Sequence, residues 1–449
     1  MTGVGPARTL VSTELHGSLD DPLLSSMMFL NEITSRFPDA ISFAPGRPYE
    51  GLFDTDRIPE YLAAYTDHLA TERGMSAAEI GTALFQYGRT NGQIHDLIAR
   101  TVANDEGMLV APEAIVVTVG AQEGMVLTLR ALFAGPRDVL LVSSPCYVGI
   151  TGAARLLDIE IVPVPEGESG IDPETVAEVA AMVRARGQRP RALYVVPDFA
   201  NPSGVSMPVP RRHHLLRVAA DEDLVVIEDN PYGFFARDDE LRPTLRSLDT
   251  DGTVVYLGSF AKTCFPGARV GYVLADQRVV HPDGSVTLLA DQLAKIKSML
   301  TVNTSSLSQA VIGGILAANG CRLRDANQDT IRFYRENMER LLSLLRHHLS
   351  PGLGVAWNTP GGGFFLVLDV PFVADEAALV RSARDHGVLW TPMSSFYPDG
   401  GGTHQLRLSC SYVEPDRLDE GVRRLAAFIT EATEATEAGA TNVQLTRLA

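Results

Sequence analysis

From residue 113 onward, short β-branched runs recur at spacings that leave room for a helix between most of them. They are Ala114–Val119, Val139–Val142, Ile159–Val164, Ala192–Val196, Leu224–Ile227, Val254–Leu257 and Val270–Leu274. Segments such as Pro173–Arg186 and Pro208–Asp221 carry helical patterning between them. Continuous apolar strands alternating with helices predict an α/β fold with a mainly parallel central sheet covered on both faces. In such sheets ligands bind beyond the C-terminal ends of the strands. The residues that follow each run are therefore the candidates for chemistry: Gly120 and Ala121, Tyr147, Asn201, Asp229 with Tyr232, and Ser259 to Lys262.

At 449 residues the chain exceeds what one core usually supports, which predicts two domains. Residues 1–59 read as an N-terminal arm and part of a small domain, and 60–325 as the large domain. A smaller C-terminal α/β domain is expected over 326–431, entered through the helical stretch Gln328–Leu349. Residues 432–449, rich in Glu, Ala and Thr, have little to bury and are expected to be disordered. A net charge of −17 gives no electrostatic footprint for nucleic acid. No apolar run has the length of a membrane span, and the N-terminus lacks the pattern of a signal peptide. Cysteines 146, 264, 321 and 410 form neither a CxxC pair nor zinc-type spacing, so no metal is expected and a cytoplasmic location is.

The stretch Gly258-Ser-Phe-Ala-Lys-Thr-Cys-Phe-Pro-Gly-Ala-Arg269 joins two of the predicted strands and is the least expected chemistry in the chain. Desolvation disfavours an ammonium, and a lysine kept between core strands is usually kept for its chemistry as an amine. Lysine occurs only at 262, 295 and 297, so 35 of 38 basic residues are arginines. Lys295 and Lys297 fall on an amphipathic helical pattern and are expected to be solvated face charges, whereas Lys262 has no such setting. Gly120-Ala121 opens a helix after a strand, where free backbone N–H groups suit a phosphate. Ser259 and Arg269 could supply a hydroxyl and a guanidinium to the same anion.

Four motifs in order, Asn201-Pro-Ser-Gly204, Asp229-Asn-Pro-Tyr232, Ser259-Phe-Ala-Lys262 and Pro266-Gly-Ala-Arg-Val-Gly-Tyr272, closely resemble those of the class I/II aminotransferases, the fold-type-I pyridoxal 5′-phosphate enzymes. The resemblance spans about residues 40 to 430. It implies that Lys262 bonds the cofactor and shuttles the proton, and that Asp229 holds the pyridine nitrogen. It also implies that Asn201 and Tyr232 contact the ring hydroxyl and that Tyr147 stacks on the ring. Gly120, Ala121, Ser259 and Arg269 would hold the phosphate, with Tyr87 reaching it from a partner subunit of a homodimer. Arg407, with Gly46 and Asn201 near it, would take the carboxylate of an amino acid or 2-oxo acid.

Substrate choice is less specified. Ser42-Phe-Ala-Pro-Gly-Arg-Pro-Tyr-Glu50, Ala83-Leu-Phe-Gln-Tyr-Gly88 and Ser259–Gly267 resemble the 3,5-dihydroxyphenylglycine transaminases of glycopeptide-antibiotic pathways. That resemblance implies amination of 3,5-dihydroxyphenylglyoxylate. Transamination of other aromatic, branched or 2-aminoadipate-type substrates, or a cofactor-dependent amino-acid oxidase or lyase reaction on the same site, are the alternatives. Arg47, Tyr49 and Tyr397 could meet an aromatic ring or be ordinary loop residues.

Overall fold

A computed structural model describes residues 8–238 and 242–448. All seven predicted runs enter one eight-stranded sheet. Its spatial order is Ile115–Thr118, Gly271–Leu274, Val254–Ser259, Val225–Asp229, Arg189–Val195, Asp138–Ser144, Glu160–Gly167 and Gly170–Ile171. From Val254–Ser259 to Glu160–Gly167 every pairing is parallel, and Gly271–Leu274 is antiparallel to both its neighbours. Both faces are buried, as the unbroken apolar runs require. Leu140 and Val142 pack on one side with helices Gly120–Leu132, Val148–Leu156 and Leu289–Leu300. Val139 and Leu141 pack on the other with Pro173–Ala185 and Val209–Asp221.

Near the Ile115–Thr118 edge, helix Ser306–Ala318 lies directly against Arg57–Thr71. The approach requires glycine: a Cβ at Gly314 would sit 1.8 Å from the Tyr61 carbonyl oxygen. Beside these helices Ala77–Phe85 forms a further helix. Its signal was local: Ser76 and Glu79 form a capping box that satisfies the first free N–H groups.

The second layer system is a four-stranded antiparallel sheet in the order Ala356–Trp357, Phe365–Asp369, Gln405–Ser409, Thr391–Pro392. Ile33, Ile41 and Phe43 share a core with residues from Met338 to Ile429, and Ile41–Ser42 pairs with Val388–Leu389. The N-terminal segment thus crosses into the C-terminal unit and carries Ala44 and Gly46 to the junction between the two sheets. The final helix runs Leu418–Leu448, through most of the 432–449 stretch expected to be disordered. Ala and Glu are strong helix formers, and Thr433 is buried with its hydroxyl donating to the Ile429 carbonyl at 2.8 Å.

Candidate active site

The C-terminal ends of the parallel strands open onto a cavity of about 290 Å³ bordered by both sheets. Ala121, Tyr147, Asn201, Asp229, Tyr232, Ser259, Lys262, Arg269, Gly46 and Arg407 all line it. Gly120 lies immediately behind: a Cβ there would stand 2.6 Å from an Arg269 Nη, and its φ of +69° also favours glycine. Tyr87 is 84 % exposed and lies outside the cavity of its own chain.

Strand order places the central carboxylate. Asp229 ends Val225–Asp229, flanked by Arg189–Val195 and by Val254–Ser259, which delivers Lys262. Tyr194 donates to Asp229 Oδ2 at 2.7 Å, while Asp229 Oδ1 is buried without a hydrogen-bond partner. Burial pushes the Asp229 carboxyl up to about 6, against the opposing pull of the Tyr194 hydrogen bond and the Lys262 charge. A buried acceptor left open is costly, and here it borders a cavity.

Lys262 donates to the Gly46 carbonyl at 2.7 Å. Its ammonium is brought down to about 8, first by burial and then by the Arg269 and Arg407 charges, with Asp229 opposing. The residue keeps some accessible surface because it borders the cavity, but enough protein surrounds it to desolvate the amine. Arg269 adopts the left-handed conformation, with φ +51° and ψ +47°, one residue before strand Gly271–Leu274. That turn brings its guanidinium against Gly120, at the N-terminus of helix Gly120–Leu132, which has no side-chain cap.

Arg407 projects from the middle of the second sheet, opposite Val367 and Thr391. It is 4 % exposed and donates to Asn201 Oδ1 at 2.5 Å and to the Ala44 carbonyl at 3.0 Å. Its guanidinium carbon lies 4.2 Å from the Phe365 ring centroid and 4.9 Å from that of Phe396, and Nε has no partner. Burial lowers it to about 10, which leaves it charged at neutral pH. Arg47, at the cavity's border, is paired with Glu50; the other three cations, Lys262, Arg269 and Arg407, face one carboxylate around the cavity. That imbalance suits a ligand carrying two anionic groups and one hydrogen-bond donor for Asp229 Oδ1.

Several lining residues carried no sequence signal of their own. Thr34, whose buried hydroxyl has no partner, Gln122, Phe365 and Phe396 border the cavity. Of the three residues considered for an aromatic ring, Arg47 borders it, Tyr49 stacks on Phe333, and Tyr397 lines a different cavity and bonds Gln405. Lys297 is corrected: it is fully buried, not solvated, with Nζ 2.7 Å from Glu123 Oε2. Glu123 in turn accepts from the Val119 N–H at 2.7 Å, so the pair braces the start of helix Gly120–Leu132. Only Lys295 stays on the exposed face.

A parallel α/β sheet whose strand ends gather a lysine, a carboxylate with one open oxygen, an uncapped helix start and two arginines defines a fold-type-I, pyridoxal-phosphate-dependent aminotransferase. The family model described as aminotransferase class I and II matches residues 52–425, and the chain belongs to that family. It is 52 % identical to (S)-3,5-dihydroxyphenylglycine transaminase of Amycolatopsis orientalis over 96 % of this chain and 97 % of the relative. Among solved structures it resembles the multiple substrate aminotransferase of Thermococcus profundus, at TM-score 0.79 and 27 % identity, covering 94 % of this chain and 99 % of that one. It also resembles the α-aminoadipate aminotransferase of Thermus thermophilus, complexed with N-(5′-phosphopyridoxyl)-L-leucine, at TM-score 0.76 and 28 % identity over the same shares. The protein is an aminotransferase that uses pyridoxal 5′-phosphate.

Proposed function

We propose that this aminotransferase converts 3,5-dihydroxyphenylglyoxylate to 3,5-dihydroxyphenylglycine for antibiotic biosynthesis. The observation that carries this reading is the 52 % identity, over nearly the whole chain, to a transaminase of that name. The cavity is consistent with it. Phe365 and Phe396 offer aromatic walls, and Thr34 offers an unpartnered hydroxyl to a ring hydroxyl.

Each residue then has a task. Helix start Gly120-Ala121, Ser259 and Arg269 hold the phosphate, and Asp229 Oδ1 accepts the ring N–H. Asn201 and Tyr232 meet the ring hydroxyl, and Tyr147 stacks on the ring. When bound, the cofactor supplies a carbonyl for amine exchange and a ring that accepts electron density from the substrate carbon. Arg407 binds the substrate carboxylate through paired donors, and its bonds to Asn201 and Ala44 and the flanking Phe365 and Phe396 rings fix its plane. Lys262 Nζ, with its basicity lowered by burial and by two guanidiniums, would take the Cα proton and hold it for return with the cofactor bound.

The working unit in this reading is a homodimer acting in the cytoplasm. Support comes from exposed apolar side chains close to one another: Phe85 and Tyr87 stand on a segment whose Gln86 carbonyl accepts from Ser306, beside exposed Leu307. A second copy would cover them and bring its own Tyr87 toward the phosphate. For location, the support is the acidic composition and four free cysteines.

The test is a single-turnover screen in which each amino acid is mixed with the holoenzyme and conversion of the cofactor to its amine form is followed by absorbance. Dihydroxyphenylglycine is expected to react fastest. Rapid conversion by aliphatic or acidic amino acids alone would remove the arylglycine assignment, and no dependence on any 2-oxo acid would favour the oxidase or lyase alternative.

A further inference from the structure

We propose that Tyr194 is a positioning residue that holds Asp229 ionised, with one oxygen reserved for the cofactor's ring nitrogen. The inference rests on the cofactor reading above and adds a residue that neither the motifs nor the carried-over roles include.

Tyr194 sits on Arg189–Val195, next to the strand that ends in Asp229, with Cα register Tyr194 to Ile227. Two residues of offset let the phenol reach along the strand to the carboxylate, and the hydroxyl donates to Asp229 Oδ2 at 2.7 Å. Tyr194 has no accessible surface. Among the described residues, the bond to Asp229 is the one hydrogen bond of its hydroxyl. The effect is asymmetric: Oδ2 is committed, and Oδ1 is left buried and without a partner on a residue that lines the cavity. A carboxylate with both oxygens free could rotate or take up a proton; one with an oxygen tied presents a fixed lone pair.

The groups that face Asp229 from the elements packed around it are Cys146 and Tyr147, Tyr194, Tyr232 and Lys262. Of these, the Tyr194 hydrogen bond and the Lys262 charge lower the carboxyl, opposing its burial. With the cofactor bonded to Lys262, that ammonium would no longer act on Asp229, and among the protein groups Tyr194 would remain to favour the charged carboxylate alongside the ring N–H. Removing the donor raises Asp229 further, so more of it is protonated at neutral pH and cannot accept the ring N–H.

The experiment measures equilibrium binding of pyridoxal phosphate to apo-enzyme across pH in wild type, Tyr194→Phe, Asp229→Asn and the double variant. Wild type should lose affinity as pH falls through about 6, where Asp229 becomes protonated. Tyr194→Phe should bind about tenfold more weakly at neutral pH, the loss of one hydrogen bond to a charged group, with its acid limb moved upward. In the Asp229→Asn background the same change should have little further effect. An unchanged affinity and limb in Tyr194→Phe, or an equal loss with and without Asp229, overturns the proposal. Failure of wild type to bind the cofactor would instead remove the reading beneath it. Should Tyr194→Phe not fold, 3-fluorotyrosine at 194, nearly isosteric and a stronger donor, should move the limb downward, and no movement overturns the proposal.

Discussion

Replacing Arg407 by lysine keeps the charge and removes the fork. In the native site the guanidinium already spends donors on Asn201, Ala44 and Thr391, and is bracketed by two aromatic rings. A substrate carboxylate needs two more donors in one plane, which arginine supplies and an ammonium cannot. The variant therefore loses at least one charge-assisted hydrogen bond to substrate, worth ~1.5–3 kcal/mol. Expressed as kcat/KM, that is a fall of roughly 10- to 150-fold. A lysine also leaves the Ala44 carbonyl or Asn201 Oδ1 without its donor, so the upper part of the range is expected. The assay is steady-state transamination with saturating cofactor, alongside the cofactor dissociation constant as a control. Cofactor affinity should change little, because Arg407 faces substrate and not phosphate in this account. A change in kcat/KM below about threefold, well under one such hydrogen bond, would refute the assignment of Arg407 to the carboxylate.

Two further outcomes follow from the same geometry. The apo-enzyme should capture pyridoxal phosphate with a rate that rises through pH 8 and levels above it, because Lys262 is nucleophilic only once its proton is lost; a rise continuing toward pH 10 would mean the amine is not desolvated. Gly314→Ala drives a methyl into the Tyr61 carbonyl of the facing helix and should destabilise by about 1–3 kcal/mol or more, read by chemical denaturation as a lower midpoint with an unchanged slope.

Two of the residues that line the cavity were marked locally in the sequence: Lys262 by the scarcity of lysine, and Asp229 by closing an apolar strand. Strand alternation likewise revealed the sheet, because burial on both faces forces unbroken apolar runs. Tyr194 was hidden for a physical reason. In its own run it is one more apolar residue, and it becomes special only because Arg189–Val195 lies beside Val225–Asp229, an order that crossover connections do not declare. Lys297 was misread because charge on an amphipathic stripe usually means solvent, whereas Glu123, 174 residues away, receives it in a buried pair. Thr34 and Gln122 reach the cavity from elements that carry no motif. The continuation of the final helix through 432–448 was not expected, because low complexity was weighed above the helix propensity of its alanines and glutamates.

The central claim, that Lys262 bonds the cofactor, is tested most directly by borohydride reduction of the holoenzyme followed by peptide mass mapping. The account predicts one phosphopyridoxyl group per chain on the peptide carrying Lys262, none on Lys295 or Lys297, and no label in Lys262→Ala. Label on either other lysine, or a Lys262→Ala enzyme that still turns over with its absorption band intact, would contradict it.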